Sequence, residues 1–331
     1  MSENNCCCSS GGCGCVPAIQ PVSTRLTFKD RLGTWKVRWG IGRMSYMVEP
    51  GIYAVGKPDK NAPVLVSVNY KLTFDILRKN LSSLDCWLLI LDTKGVNVWC
   101  AAGKGTFGTD ELANRIEAVG LSEIVTHKRL ILPQLGASGV SAHEVMRRTG
   151  FSIVYGPVRA RDIKAFLEAG NKATDEMRTV TFTTRDRLVL TPIEFIPAAR
   201  KSLYIFGMFF LLNLFISNPF GLADFIAYAG AVLIGAVITP IVLPFIPGRA
   251  FSFKGGLLGV LWAVFAVWVF KVCYSYILIL PSVSAYLAMN FTGASTYTSP
   301  SGVLKEMKIA LPFIIGASGL GTVLLLIGRY L

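Results

Sequence analysis

The sequence predicts an α/β fold, a Rossmann-like parallel sheet with helices on its faces, followed by an all-α domain of five transmembrane helices. Three observations carry this expectation. The 331 residues are 52% hydrophobic with a mean hydropathy of +0.51, too apolar for an ordinary soluble chain. The charge is unevenly divided, because residues 201–331 hold only seven of the 33 Lys/Arg and two of the 20 Asp/Glu. Before residue 201, short β-rich runs alternate with helical spacings, the pattern of strands joined by crossover helices.

In chain order, Met1–Pro21 reads as a flexible tail. It carries Cys6, Cys7, Cys8, Cys13 and Cys15 in "CCCSSGGCGC". Such thiols suit capture of a soft metal, but their spacing matches neither a zinc finger nor a ferredoxin run, so an incidental thiol tail stands equally. Residues 22–175 form the α/β domain. Thr24–Arg43 alternates polar and apolar residues and reads as a hairpin. The strands are "PVLVSV" (63–68), "WLLILD" (87–92), "RLILPQ" (129–134) and "FSIVYG" (151–156). Helices fall at 73–81, 110–119 with Thr109 as N-cap, 140–149 and 161–169. Residues 176–200 are expected to be a hairpin or linker, with Thr179–Thr191 as the hairpin.

The remainder, 201–331, is the membrane domain, because a spanning helix needs about 20 apolar residues. Spans are expected at about 202–218, 222–246, 255–271, 273–291 and 309–328. Gly255–Phe291 must hold two of them, since one helix of that length would reach about 55 Å. It breaks near Lys271–Tyr274 or near Pro281. Five spans also place Arg200, Lys201, Arg249, Lys254, Lys305 and Lys308 on one side, as the positive-inside rule requires. Asp224 stands alone near a span end, and no chain of ionisable residues crosses these helices, so they read as an anchor rather than a transport path. Asn290–Met307 reads as a long polar loop and a partner contact. No secretory signal pattern precedes the first long apolar run. The expectation is a multi-pass protein of the cell membrane with its N-terminal domain in the cytoplasm, where thiols stay reduced. The net charge of +13 is spread along the chain, which suits anionic lipid better than nucleic acid.

In open parallel sheets, ligands bind beyond the carboxyl ends of the strands. The segments there include "NYKLT", "TKGVNVWCAAGKGT" and "LGASG". Neither "GKGT" nor "GASG" completes a nucleotide motif. Asn97 is a natural N-cap for a short helix bearing Cys100. The amides of its first turn and the ammonium of Lys104 favour negative charge there, and a sulfur anion is a soft metal donor. A lone helical cysteine is also commonly a small buried hydrophobe, so the residues by themselves leave both readings open.

"NVWCAAGKGTFGTDEL" resembles the cap-helix signature of the corrinoid proteins of microbial mercury methylation. In that family a corrinoid-binding domain, similar to the large subunit of the corrinoid iron–sulfur protein of the acetyl-CoA pathway, precedes five membrane helices. The resemblance extends to the sheet pattern, the five spans and the "NFTG…TSPSGV" segment. It implies a cobalamin-type corrinoid whose cobalt takes Cys100 as lower axial ligand, and methyl transfer from that cobalt to Hg(II), giving methylmercury. It implies ring contacts from Asn97, Val98, Trp99, Ala101, Gly103, Lys104, Asn69, Tyr70, Leu135, Gly136 and Ala137. A ferredoxin-type iron–sulfur reductase partner and a methyltetrahydrofolate-linked methyl donor follow from the same resemblance. The N-terminal thiols depart from the family pattern and lack the iron–sulfur spacing of the acetyl-CoA relative, which argues against that branch. The alternatives are a methyl-carrying corrinoid protein of the carbonyl pathway without mercury chemistry, and a non-enzymatic membrane metal-binding protein. His127 and His143 do not fit the Asp-x-His-x-x-Gly ligand pattern of other corrinoid modules. They and Cys86 and Cys273 read as ordinary structural residues.

Overall fold

The structure, a computed structural model, describes residues 19–215 and 218–330. The five cysteines of the N-terminal tail lie outside the described residues. The chain divides into two units. One comprises the residues up to Thr34 with Met44–Thr179, and the other Trp35–Arg43 with Val180–Leu331.

The first unit is an α/β unit. Its elements are β1 (Gln20–Val22), the first part of α1 (Phe28–Arg38, whose residues from Trp35 belong to the other unit), β2 (Gly51–Val55), β3 (Val64–Val68), α2 (Lys71–Asn80), β4 (Cys86–Leu91), α3 (Val98–Lys104), α4 (Thr109–Ala118), α5 (Leu121–Ile124), β5 (Arg129–Pro133), α6 (Ala142–Thr149), β6 (Ser152–Gly156), α7 (Ile163–Glu168) and α8 (Asp175–Arg178). The strands form one sheet in the order β1-β2-β4-β3-β5-β6. β4, β3, β5 and β6 are mutually parallel, while β2 runs antiparallel to β4 and carries β1 at the edge. The sheet is therefore mixed and dominated by parallel strands. β3 and β4 are buried at every position, as continuous apolar runs in a sheet covered on both faces should be. Leu65, Leu88, Ile90, Ile131, Phe74, Leu77 and Phe166 share one core cluster, each contributing about 1.5–3 kcal/mol by leaving water.

Two expected hairpins are helices. Thr24–Arg43 contains α1, whose Asp30 caps its own start by accepting from the Thr27 amide and hydroxyl at 2.9 and 2.8 Å. Asp30 also joins Lys71 and Arg78 at 2.7 and 2.8 Å, and the same two cations grip Asp75. The α1 register buries Val37 and leaves Phe28, Leu32, Trp35 and Trp39 exposed, and this 3.6-residue stripe resembles a period-2 pattern only when read piecemeal. Thr109 is the first helical residue of α4 rather than its cap, which is Gly108.

The second unit holds five helices long and apolar enough to cross a membrane: Thr184–Leu212, Leu222–Phe245, Phe251–Phe270, Tyr276–Ala294 and Ser301–Arg329. The first, α9 (Thr184–Leu212), replaces most of the expected 176–200 hairpin and begins well before residue 202. A Thr183–Asp186 capping box starts it, and that local signal outweighs the β-prone "TVTFTT" composition. Pro192 and Pro197 lie inside it. α10 (Leu222–Leu233) passes through a π-helical turn at Ile234–Ile238 into α11 (Thr239–Val242). α12 (Phe251–Phe270) stops at Lys271, which is left-handed at φ 55°. α13 (Tyr276–Asn290) follows and carries Pro281 internally, so the break falls at the first of the two expected places. α14 (Pro300–Tyr330) begins so early that the expected loop of Asn290–Met307 shrinks to a 3-10 turn and a few residues. Asp224 is not alone. It pairs with Arg329 at 2.5 Å, and Arg329 also donates to the Asn218 and Pro219 carbonyls.

Candidate functional site

β3 and β5 are adjacent, yet β4 lies between them in sequence and on the far side of β3. Chain order therefore reverses between β3 and β5, where open α/β sheets place their ligands. A hollow of 320 Å³ opens there. Its walls include Val66 and Ser67 of β3, Thr73 and Ile76 of α2, Pro133 and Leu135 after β5, Gly156 and Pro157 at the end of β6, and Asn97, Val98 and Trp99 of the α3 turn. A larger hollow of 590 Å³ lies at the opposite, amino ends of the strands, against Val64, Arg129 and Ser152.

α3 forms because Asn97 is extended and its side-chain oxygen accepts the Cys100 amide at 2.9 Å. Gly105, left-handed at φ 77°, ends it. Val98, Ala101 and Ala102 face inward, while Trp99, Cys100, Gly103 and Lys104 are exposed. One residue face thus presents a thiol, a cation and an indole around a glycine. A Cβ at Gly103 would meet nothing within 4 Å, so the helix surface next to Cys100 is bare. The inward face is held very close to the loop after β5. A Cβ on Gly139 would lie 3.0 Å from the Ala102 Cα of α3, and one on Gly136 would lie 2.4 Å from the ring of Phe107, which follows the helix.

Of the expected ring contacts, Asn97, Val98, Trp99 and Leu135 share the wall of the hollow, and Gly103 and Lys104 lie with Cys100 on the exposed face of α3. Asn69, Tyr70, Ala101 and Gly136 are buried outside that wall, and Ala137 is half-buried outside it. Asn69 is occupied otherwise. Its side-chain oxygen accepts from the Thr93 amide and hydroxyl and the Gly95 amide, and its nitrogen donates to Asp92 at 3.0 Å. It fastens the turn that leads into α3. Burial pushes the Asp92 carboxyl up, but its contacts with Lys94 and Asn69 outweigh this and hold it below the usual range. Thr73 belongs to the "NYKLT" segment expected at the strand ends, whereas Ile76 on α2 was not anticipated, although its place in the first turns after a central strand was a usable signal. Gln134 was also missed. Its side-chain oxygen is buried without a hydrogen-bond partner; it separates Pro133 and Leu135 in sequence but does not itself line the hollow.

The two other thiols of the described chain differ from Cys100. Cys86 is fully buried in β4, where burial, and then the Asp85 charge, push its pKa up to about 12. Cys273 is half-buried between α12 and α13. His127 is held structurally, accepting the Arg129 amide at one ring nitrogen with the other 2.9 Å from the Ala62 carbonyl. His143 is exposed.

A corrinoid brings four equatorial nitrogens of its own, so the protein need supply one axial donor. Among the described residues no group of three or more His, Cys, Asp or Glu can cage an ion. One exposed sulfur on a bare helix face fits a metal held in a macrocycle better than a naked cation. The hollow alone is small, at the low end for ligand pockets, and the open surface of α3 adjoins it.

The family described as CO dehydrogenase/acetyl-CoA synthase delta subunit matches residues 41–167, a stretch that includes every wall residue of the hollow. The acetyl-CoA decarbonylase/synthase complex subunit gamma of Methanopyrus kandleri is 35% identical over 123 residues, 37% of this chain and 26% of that relative. The corresponding subunit of Methanocaldococcus jannaschii is 33% identical over 127 residues, 38% and 26% of the two chains. That of Archaeoglobus fulgidus is 33% identical over 128 residues, 38% and 27%. These relatives stand on the side of the carbonyl branch, against which the missing iron–sulfur spacing had argued. The chain spans about a quarter of the length of these curated relatives, and over its cavity-bearing α/β unit it is similar to subunits of acetyl-CoA decarbonylase/synthase complexes.

Proposed function

We propose that the α/β unit binds a cobalamin-type corrinoid, that the Cys100 sulfur is its lower axial ligand, and that the chain is a membrane-anchored methyl-transfer protein. The observation carrying this is the exposed Cys100 on the bare, Asn97-capped face of α3, beside a hollow at the switch point of the sheet. The bound corrinoid supplies a cobalt–carbon bond as the store of the methyl group. The chain's own residues position and shield. Asn97 fixes the turn that carries the sulfur. Trp99, Ile76 and Leu135 supply apolar surface. Lys104 places positive charge one turn after Cys100.

The similarity to acetyl-CoA decarbonylase/synthase subunits favours a methyl-carrying protein of that chemistry. A second acceptor, Hg(II) as substrate with methylmercury as product, is favoured by Cys100 within "NVWCAAGKGT" and by the five apolar helices beyond the matched stretch. Were a corrinoid bound, the Cys100 sulfur would be the protein donor to its cobalt, and a strongly donating ligand of that kind would suit methyl transfer to an electrophile such as Hg(II). On either reading a protein reductant of ferredoxin type and a methyltetrahydrofolate-linked donor serve the α/β unit on the cytoplasmic side. Captured soft metal on Cys6, Cys7, Cys8, Cys13 and Cys15 is accessory to it.

The test is full-length protein loaded with methylcobalamin, beside Cys100→Ala. The expected result is a changed visible absorption spectrum and lost methyl transfer in the variant, with the protein still folded. Methylmercury formed on adding Hg(II) selects the second acceptor, and transfer only to an acetyl-CoA synthase selects the first. Identical spectra for the two proteins sink the ligand assignment.

A further inference from the structure

The helical unit contains a feature that methyl transfer does not use. Where α12 and α14 begin, a cavity of 790 Å³ opens, lined by Arg249, Lys254, Lys305, Glu306, Tyr297 and Ser299 with apolar Leu243, Phe251 and Ile309. Lys254 is 9% exposed, and its ammonium donates to the Leu243 carbonyl at 2.7 Å. No carboxylate of the described residues pairs with it. The one carboxylate lining the cavity, Glu306, accepts the Ser252 amide at 2.6 Å. A second cation, Arg187, is buried close by and is satisfied only by neutral oxygens, those of Ile241, Phe182, Thr184 and the Tyr297 hydroxyl. A buried charge without a counter-ion is costly. Two helix N-termini add positive potential at the same place. α12 starts at Phe251 after Ala250, which offers no side-chain cap, and of its first-turn amides that of Ser252 is taken by Glu306; α14 starts beside Ser299, whose hydroxyl takes the Gly302 amide. Dipole ends and cations converging on one cavity form an anion site.

We propose that this cavity binds a phosphate group, with the apolar wall of Leu243, Phe251 and Ile309 suited to the glycerol and upper acyl region of an anionic phospholipid. Basic pockets between membrane helices on the cytoplasmic side hold lipid headgroups in this way. The site rests on membrane insertion of the five helices and is independent of the corrinoid reading.

The test uses the full-length chain. Co-flotation with phosphatidylcholine vesicles first establishes insertion, so failure of the membrane reading is distinguished from failure of the site. Detergent-purified protein is then titrated with phosphatidylglycerol, with phosphatidylcholine and with inorganic phosphate, followed by native mass spectrometry and by thermal midpoint. One phosphatidylglycerol retained per chain, in preference to phosphatidylcholine, is the expected result. Arg249→Gln with Lys305→Gln, both at exposed positions, weakens it about tenfold or more, one charge-assisted contact alone being about that size. Lys254→Gln does the same where it folds, and Lys201→Gln does not. A midpoint raised by inorganic phosphate, but not by the lipid, assigns the same site to a free phosphate. The proposal is overturned if neither probe binds better than phosphatidylcholine, or if the double variant binds as well as the parent.

Discussion

Cys100 and Cys86 are 14 positions apart and chemically opposite. Cys86 has no exposed surface and a thiol held protonated by burial, whereas Cys100 is exposed on α3. Iodoacetamide at neutral pH should therefore label Cys100 in the native protein and reach Cys86 only after unfolding, read by peptide mass mapping. Loaded corrinoid should protect Cys100. Equal labelling of both thiols in the folded protein would contradict the placement of α3. The Asn97-capped helix that carries Cys100 was legible in the sequence, whereas its residues alone left open whether the thiol was exposed or a small buried hydrophobe. The buried roles of Asn69 and Gly136 were not legible. Both stand at strand ends, and sequence position alone does not separate a residue that faces the ligand from one that fastens the loop beneath it.

Between elements, the bond from α1 to α2 is the one that titrates. Burial raises the Asp30 carboxyl, but hydrogen bonds from Lys71, Thr27 and Arg78 prevail and hold it well below the usual range. A carboxyl depressed on folding contributes stability above its unfolded value, about pH 4, and that contribution is lost as pH falls below it. Asp30→Asn should lower the stability of the α/β unit by about 1–3 kcal/mol at pH 7. The difference from the parent should shrink as the pH is taken from 5 towards 2, measured by urea unfolding at each pH. A constant difference would remove the ionic role. Thr24–Arg43 was read as a hairpin because alternation is a short-range signal. The ties that choose the helix reach from Asp30 to Lys71 and Arg78, across a separation no local pattern records. In α9 the signal was local but outweighed by composition, since the Thr183–Asp186 box preceded two prolines that usually end helices.

At the scale of the whole molecule, the proposal of five membrane crossings by the five apolar helices predicts that the two ends of the helical unit lie on opposite sides of the membrane. A tag after residue 331 should be accessible to a membrane-impermeant label from outside intact cells, while the α/β unit is labelled only after lysis. Labelling of both from the same side would exclude five crossings. The count of helices was legible, because apolar runs of membrane length have few other uses. Their bounds were less so. α9 and α14, at 29 and 31 residues, carry polar turns that hydropathy assigns to loops.

The Arg329 guanidinium meets the Asp224 carboxylate across a separation of 105 residues. Asp224 is made 105 residues before the arginine that pairs with it, so the first turn of α10 lacks that partner until α14 has been completed. The contact that ties the two ends of the helical unit together is therefore the last to form, and a chain cut short before Arg329 would leave the Asp224 carboxylate without it.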